Sequence, residues 1–129
     1  MDGAFHVWFS TKGRALVLED DVAWDVKRIL REIASGTAIE LLELEAVGDH
    51  VHLLTRLQGK QTLSSVMHRL KGASARAMLL RYPELRLATE MDALWQKGYG
   101  WRRLGEHEIA GVRMYIRTQR SRPFRRTVG

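Results

Sequence analysis

Ile39-Glu40-Leu41-Leu42-Glu43-Leu44-Glu45-Ala46-Val47-Gly48-Asp49-His50-Val51-His52-Leu53-Leu54-Thr55-Arg56-Leu57 is the stretch on which the fold turns. From Ile39 to Ala46 the chain alternates, with Leu42 and Leu44 expected on one side of a strand and Glu43 and Glu45 on the other. Gly48 and Asp49 supply a tight connection, and His50 to Leu57 continues as a second strand, so the segment predicts a hairpin. Along that second strand Val51, Leu53 and Leu57 share one face while His50 and His52 share the other. With the apolar set packed under helices, both imidazoles stand on an open face, close enough to share one ion. Neutral imidazole is a common metal ligand. A lone His-x-His equally describes two half-exposed strand histidines, and spacing alone leaves both uses open.

Working outward, Phe5 to Phe9 reads as a first strand, followed by Lys12, Gly13 and Arg14. Asp20 and Asp21 are expected to cap a helix in which Val22, Val26, Ile29, Leu30 and Ile33 recur at helical spacing and Gly36 is the stop. Thr62 is expected to cap a second helix, with Leu63, Val66, Met67, Leu70 and Met78 inward and an end near Pro83. Leu94 to Leu104, with Trp95, Tyr99 and Trp101, predicts a fourth strand in which Gly98 and Gly100 mark bulges or a close backbone approach. A last helix is expected from His107 to Arg120, with Ile109, Val112 and Ile116 packing inward. This order predicts an α+β fold: a ferredoxin-like split βαβ antiparallel sheet, helices on one face, and an extra C-terminal helix. No repeat or linker divides residues 1–129, so one domain is expected.

Composition narrows the function. The 129 residues include no cysteine, which excludes a disulfide framework, a thiolate zinc site and a cysteine nucleophile. No apolar run approaches the roughly 18 residues of a membrane span. Asp2, Gly3 and His6 interrupt any signal-peptide pattern, so a cytoplasmic protein is expected. The net charge is +6, which favours a polyanionic partner. Basic residues cluster: Arg69, Lys71, Arg76 and Arg81 in one acid-free stretch, and Arg113, Arg117, Arg120, Arg122, Arg125 and Arg126 after the last acid, Glu108. A solvated basic face without a specific ligand has the same composition.

Tyr115 and Gln119 lie four residues apart and so share one face of the last helix. Gln119 can offer an amide oxygen to a cation, and Tyr115 a phenolic oxygen to a substrate. A tyrosine beside a packed helix face also serves as ordinary core.

Taken together, the motifs resemble a known family. Asp49-His50-Val51-His52-Leu53-Leu54 is similar to the His-hydrophobe-His motif of HUH endonucleases. Val112 to Gln119 resembles the tyrosine helix of the one-tyrosine transposases of bacterial insertion sequences, or of the related repeat-associated tyrosine transposases. Phe5-His6-Val7-Trp8-Phe9 through Lys12 and Arg14, Leu70 to Arg76, and Leu94 to Tyr99 match the same family in order. The chain departs from it at Gly100, where a bulky residue is usual, and at Gly111 before the tyrosine.

The resemblance implies a transposase that cleaves and rejoins single-stranded DNA at hairpin-bearing element ends through a 5′-phosphotyrosine at Tyr115. It implies Mg²⁺ or Mn²⁺ held by His50, His52 and Gln119, and a homodimer. Lys12, Arg14, Arg69, Lys71 and Arg76 are the expected DNA-backbone contacts, and Trp95, Tyr99 and Trp101 are candidate stacking platforms for unpaired bases. A catalytically silent hairpin-binding relative is the alternative.

Overall fold

The computed structural model describes residues 3–89 and 93–120. Its elements are β1 (Ala4–Ser10), α1 (Asp20–Gly36), β2 (Glu40–Val47), β3 (His50–Arg56), α2 (Leu63–Arg81), α3 (Leu85–Thr89), β4 (Gly100–Leu104) and α4 (Ile109–Arg117), with single 3-10 turns at Lys12–Arg14 and Glu106–Glu108. The strands form one antiparallel sheet in the order β2-β3-β1-β4. This is the expected α+β, ferredoxin-like arrangement, and among the described residues no helix is long and apolar enough to cross a membrane.

The main core lies between the sheet and the α1–α2 pair. Ala23, Val26, Ile29, Leu30 and Ala34 recur at helical spacing and are buried, where they meet Val7, Phe9, Val51 and Leu53 from the sheet and Met67 and Leu70 from α2. Thr62 caps α2 as expected, its hydroxyl accepting the Ser65 N–H at 3.1 Å, a contact type worth about 1 kcal/mol. A second, smaller cluster occupies the opposite face. There α4 lies over β2 and β3 and buries Ile116 against Ala4, Leu54 and Leu104, with Leu42, Ile109 and Val112 alongside. The face expected to be open is therefore partly covered.

Several expectations need correction. Leu42 and Leu44 do not face the same way. The β2–β3 register shifts between Leu41 and Glu43, leaving Leu42 as a bulge residue. Leu42 consequently packs under α4 while Leu44 enters the main core. The position capping α1 is Glu19, and Asp20 and Asp21 form the first turn, where negative charge meets the positive end of the helix dipole. Strand β4 begins at Gly100. The Leu94–Tyr99 segment before it is a loop, tied to Thr11 by a single bridge at Trp95. Finally, α4 stops at Arg117, so Gln119 sits in the turn that follows.

Candidate active site

Alternation along β1 and β3 brings the site together. Trp8 stands opposite His52 and Ser10 opposite His50 in the ladder, so His6 and Trp8 share the face carrying both histidines. The rings of His50 and His52 are 4.9 Å apart. Above them α4 presents Tyr115, whose ring meets those of His52 and His6 edge-on at 5.8 and 5.9 Å. Tyr115 is 41% exposed. The structure therefore brings His50, His52 and Tyr115 of one chain together.

Each histidine is engaged at Nδ1. His50 Nδ1 lies 2.9 Å from Asp49 Oδ1, and the other oxygen of that buried carboxylate is 3.2 Å from Arg14 Nε. His52 Nδ1 lies 3.1 Å from His6 Nε2. Burial, helped by the neighbouring His50 and His6, pushes the His52 imidazole down to about 3. Burial and then Arg102 lower His6 as well. His52 is thus a neutral ring at ordinary pH, the form that can ligate a cation. With Nδ1 occupied on both, Nε2 is the remaining nitrogen of each, a donor set that fits one divalent ion.

Gln119 lines neither cleft around the histidines. Its amide nitrogen donates to the Tyr115 carbonyl at 3.0 Å, which leaves the amide oxygen as its ligating end. Among the described residues no three His, Asp or Glu side chains are grouped to hold a metal by themselves.

The expected DNA contacts separate into three kinds. Arg14 lines the cleft with Trp8, His50, His52, Tyr99 and Gly100, and Lys12 occupies the adjoining 3-10 turn. Arg69 and Arg76 are exposed on α2, in the layer across the sheet from the histidines. Lys71 is committed elsewhere. Its ammonium donates to the Gln96 and Gly98 carbonyls at 2.8 and 2.5 Å, and burial lowers its pKa. Trp95 is core, edge-on to Phe9, with its indole N–H donating to Ser74, so it is not a stacking platform. Trp101 is 55% exposed and Tyr99 borders the histidine cleft.

The basic C-terminal run is largely occupied within the chain. Arg117 and Arg113 reach Glu43 at 2.8 and 3.6 Å. The Arg120 guanidinium approaches Glu19 and Glu45, each at 3.4 Å, and donates to the Ala46 carbonyl. Glu43 thus anchors α4, and Glu45 the turn that follows it. Arg122, Arg125 and Arg126 lie outside the described residues. His6 and Asp49 had no assigned role in the sequence motifs. The period-two set Ala4, His6, Trp8 on β1 carried the signal, and it becomes legible only once β1 is placed beside β3.

The fold is one that solved transposase structures share. The crystal structure of a transposase candidate from Deinococcus radiodurans R1 superposes with a TM-score of 0.75 at 36% identity over 92% of both chains. A REP-associated tyrosine transposase bound to a REP hairpin superposes at 0.67, covering 92% of this chain and 67% of that one, and at 12% identity it shows the fold alone. The chain belongs to the IS200-like transposase family, whose model matches residues 2–119. Its relatives include the ISDra2 transposase TnpA of Deinococcus radiodurans, 36% identical over 89% of this chain and 82% of the relative. The transposase for insertion sequence element IS200 of Salmonella typhimurium is 28% identical over 89% of this chain and 75% of its own length. Membership places this chain among the transposases.

Proposed function

We propose that Tyr115 is the nucleophile of a single-strand DNA transposition reaction, supported by a divalent ion on His50, His52 and Gln119. The observation that carries this reading is the Tyr115 ring standing edge-on to His52 while Asp49 and His6 engage His50 and His52 at Nδ1. The Tyr115 oxygen attacks a backbone phosphorus. A bond from tyrosine to phosphorus forms, the bond to the 3′-oxygen breaks, and that oxygen leaves as a 3′-hydroxyl. The phosphotyrosine retains the ester bond energy, so an incoming 3′-hydroxyl reverses the attack and joins a new strand without ATP. Bound Mg²⁺ or Mn²⁺ would supply Lewis-acid polarisation of a phosphate oxygen and alignment of the leaving group.

The substrate is single-stranded DNA carrying a hairpin; the REP-associated fold neighbour is bound to a REP hairpin. Arg14 and Lys12 beside the cleft hold its backbone, and Tyr99 and Trp101 offer faces to unpaired bases. The working form is a homodimer. Incubating the protein with hairpin-bearing single strands and Mn²⁺ should give a covalent protein–DNA adduct that Tyr115→Phe abolishes while hairpin affinity is kept. An adduct persisting in Tyr115→Phe moves the nucleophile elsewhere. Hairpin binding without an adduct in the wild type favours a silent binding protein.

A further inference from the structure

We propose that His6 is a positioning residue of this site: its Nε2 accepts the Nδ1–H of His52 and so fixes His52 in the tautomer that leaves Nε2 free for the ion. The inference rests on the metal reading above and adds a residue to it. His6 stands opposite Leu54 in the β1–β3 ladder, which makes His52 its diagonal neighbour on the same face, a spacing that long aromatic side chains bridge. Its Nε2 comes within 3.1 Å of His52 Nδ1, with the two rings nearly parallel at 28°. His6 is 9% exposed. Trp8 packs against it at 4.9 Å and Tyr115 at 5.9 Å. Its rotation is therefore blocked by neighbours as well as by the hydrogen bond.

Two neutral imidazoles can share only one proton between facing nitrogens, so one ring donates and the other accepts. Were His6 the donor, His52 would carry its own proton on Nε2 and could not ligate through it. With His6 as acceptor, His52 is placed as His50 is: the Asp49 carboxylate occupies His50 Nδ1 at 2.9 Å. The two ligands are thus oriented by different partners, a carboxylate on one side and an imidazole on the other. Outer partners of this kind tune ligand affinity strongly.

The test uses the full chain without DNA. Mn²⁺ titration followed by electron paramagnetic resonance of free Mn²⁺ gives affinity, and long-range ¹H–¹⁵N correlation of the metal-free protein gives the His52 tautomer. His52 should carry its proton on Nδ1 in the wild type. His6→Leu should lose on the order of 10- to 100-fold in Mn²⁺ affinity and shift His52 toward the Nε2–H form. His6→Gln, which returns an acceptor near the lost nitrogen, should recover most of both. Should the leucine chain fail to fold, the wild-type and His6→Gln spectra still decide. A wild-type His52 protonated on Nε2, or an unchanged tautomer and affinity in a folded His6→Leu, overturns the proposal alone. A wild type that binds no Mn²⁺ removes the metal reading, while the tautomer spectrum still decides whether His6 orients His52.

Discussion

The Trp8 indole occupies the space that a side chain at Gly100 would need. The two residues pair across the β1–β4 ladder, and a Cβ placed on Gly100 overlaps Nε1 and Cε2 of the indole. Trp8 in turn borders both clefts around the histidines. Gly100→Ala should therefore cost about 1–3 kcal/mol through overpacking and displace Trp8 from the site. Denaturant midpoints for a Trp8/Gly100 double-mutant cycle check this: in a Trp8→Ala background the added alanine should cost little. Additive losses would remove the link between the two positions.

Glu43 receives both Arg113 and Arg117, so Glu43→Ala should loosen α4 more than the rest of the chain. Half-exposed ion pairs contribute about 0.2–1 kcal/mol each. Global stability should fall only slightly, while hydrogen exchange over residues 109–117 speeds up and that of α1 stays unchanged. Gly111 lies within α4 and faces open space where a methyl group would sit, so Gly111→Ala should act the opposite way by about 0.5–1 kcal/mol. Exchange rates across α4 that ignore both substitutions would contradict the anchoring role of Glu43.

Lys71 separates a brace from a phosphate contact. As a brace for the Gln96 and Gly98 carbonyls, its replacement in Lys71→Met should lower stability by about 1–3 kcal/mol and change Trp95 emission. As a phosphate contact, it should instead leave stability alone and reduce the salt slope of DNA binding by about one. Thermal denaturation and a salt titration of hairpin affinity on the same variant tell the two apart.

Asp25 sets an acid limit. The buried carboxylate accepts from Tyr82, from Arg81 at 2.6 Å and from Arg28 at 3.3 Å. The Tyr82 hydrogen bond, against the opposing pull of burial and with Arg81 assisting, holds it below its usual 3.8. A carboxyl lowered on folding contributes stability that is complete above its unfolded value and lost as pH falls through the folded one. Urea midpoints should therefore decline below about pH 3.8. In Asp25→Asn they should be lower at neutral pH and flatter in acid. Parallel acid limbs for the two proteins would place the titrating group elsewhere.

The hairpin, the histidine face and the inward residues of α1, α2 and α4 were all legible, because burial imposes a period of two on strands and about 3.6 on helices. What escaped was decided by tertiary pairing. The alternation of Leu42 and Leu44 conceals a bulge, since both faces of β2 are apolar at that point. Leu94 to Tyr99 has the composition of a strand, yet Lys71 and Ser74 on α2 hold it as a loop. The arginines after Glu108 read as a nucleic-acid signal, and three of them are matched to glutamates that lie far away in sequence. Tyr115 and the two histidines were singled out by motifs, whereas the place of His6 beside them needed the ladder.

Leu42 is surplus to the sheet. Removing it in thought would leave Leu41 opposite Thr55 and Glu43 opposite Leu54 as consecutive rungs of a regular ladder. The extra residue instead supplies an apolar contact beneath α4. Attachment of the tyrosine helix is thus written into the chain as a length, one residue added to a strand, and not only as a choice of side chains. Drift by substitution at position 42 grades that attachment through leucine, valine or alanine. A single-codon deletion would erase the contact outright while sparing the fold beneath it, giving an intact scaffold with a poorly seated Tyr115.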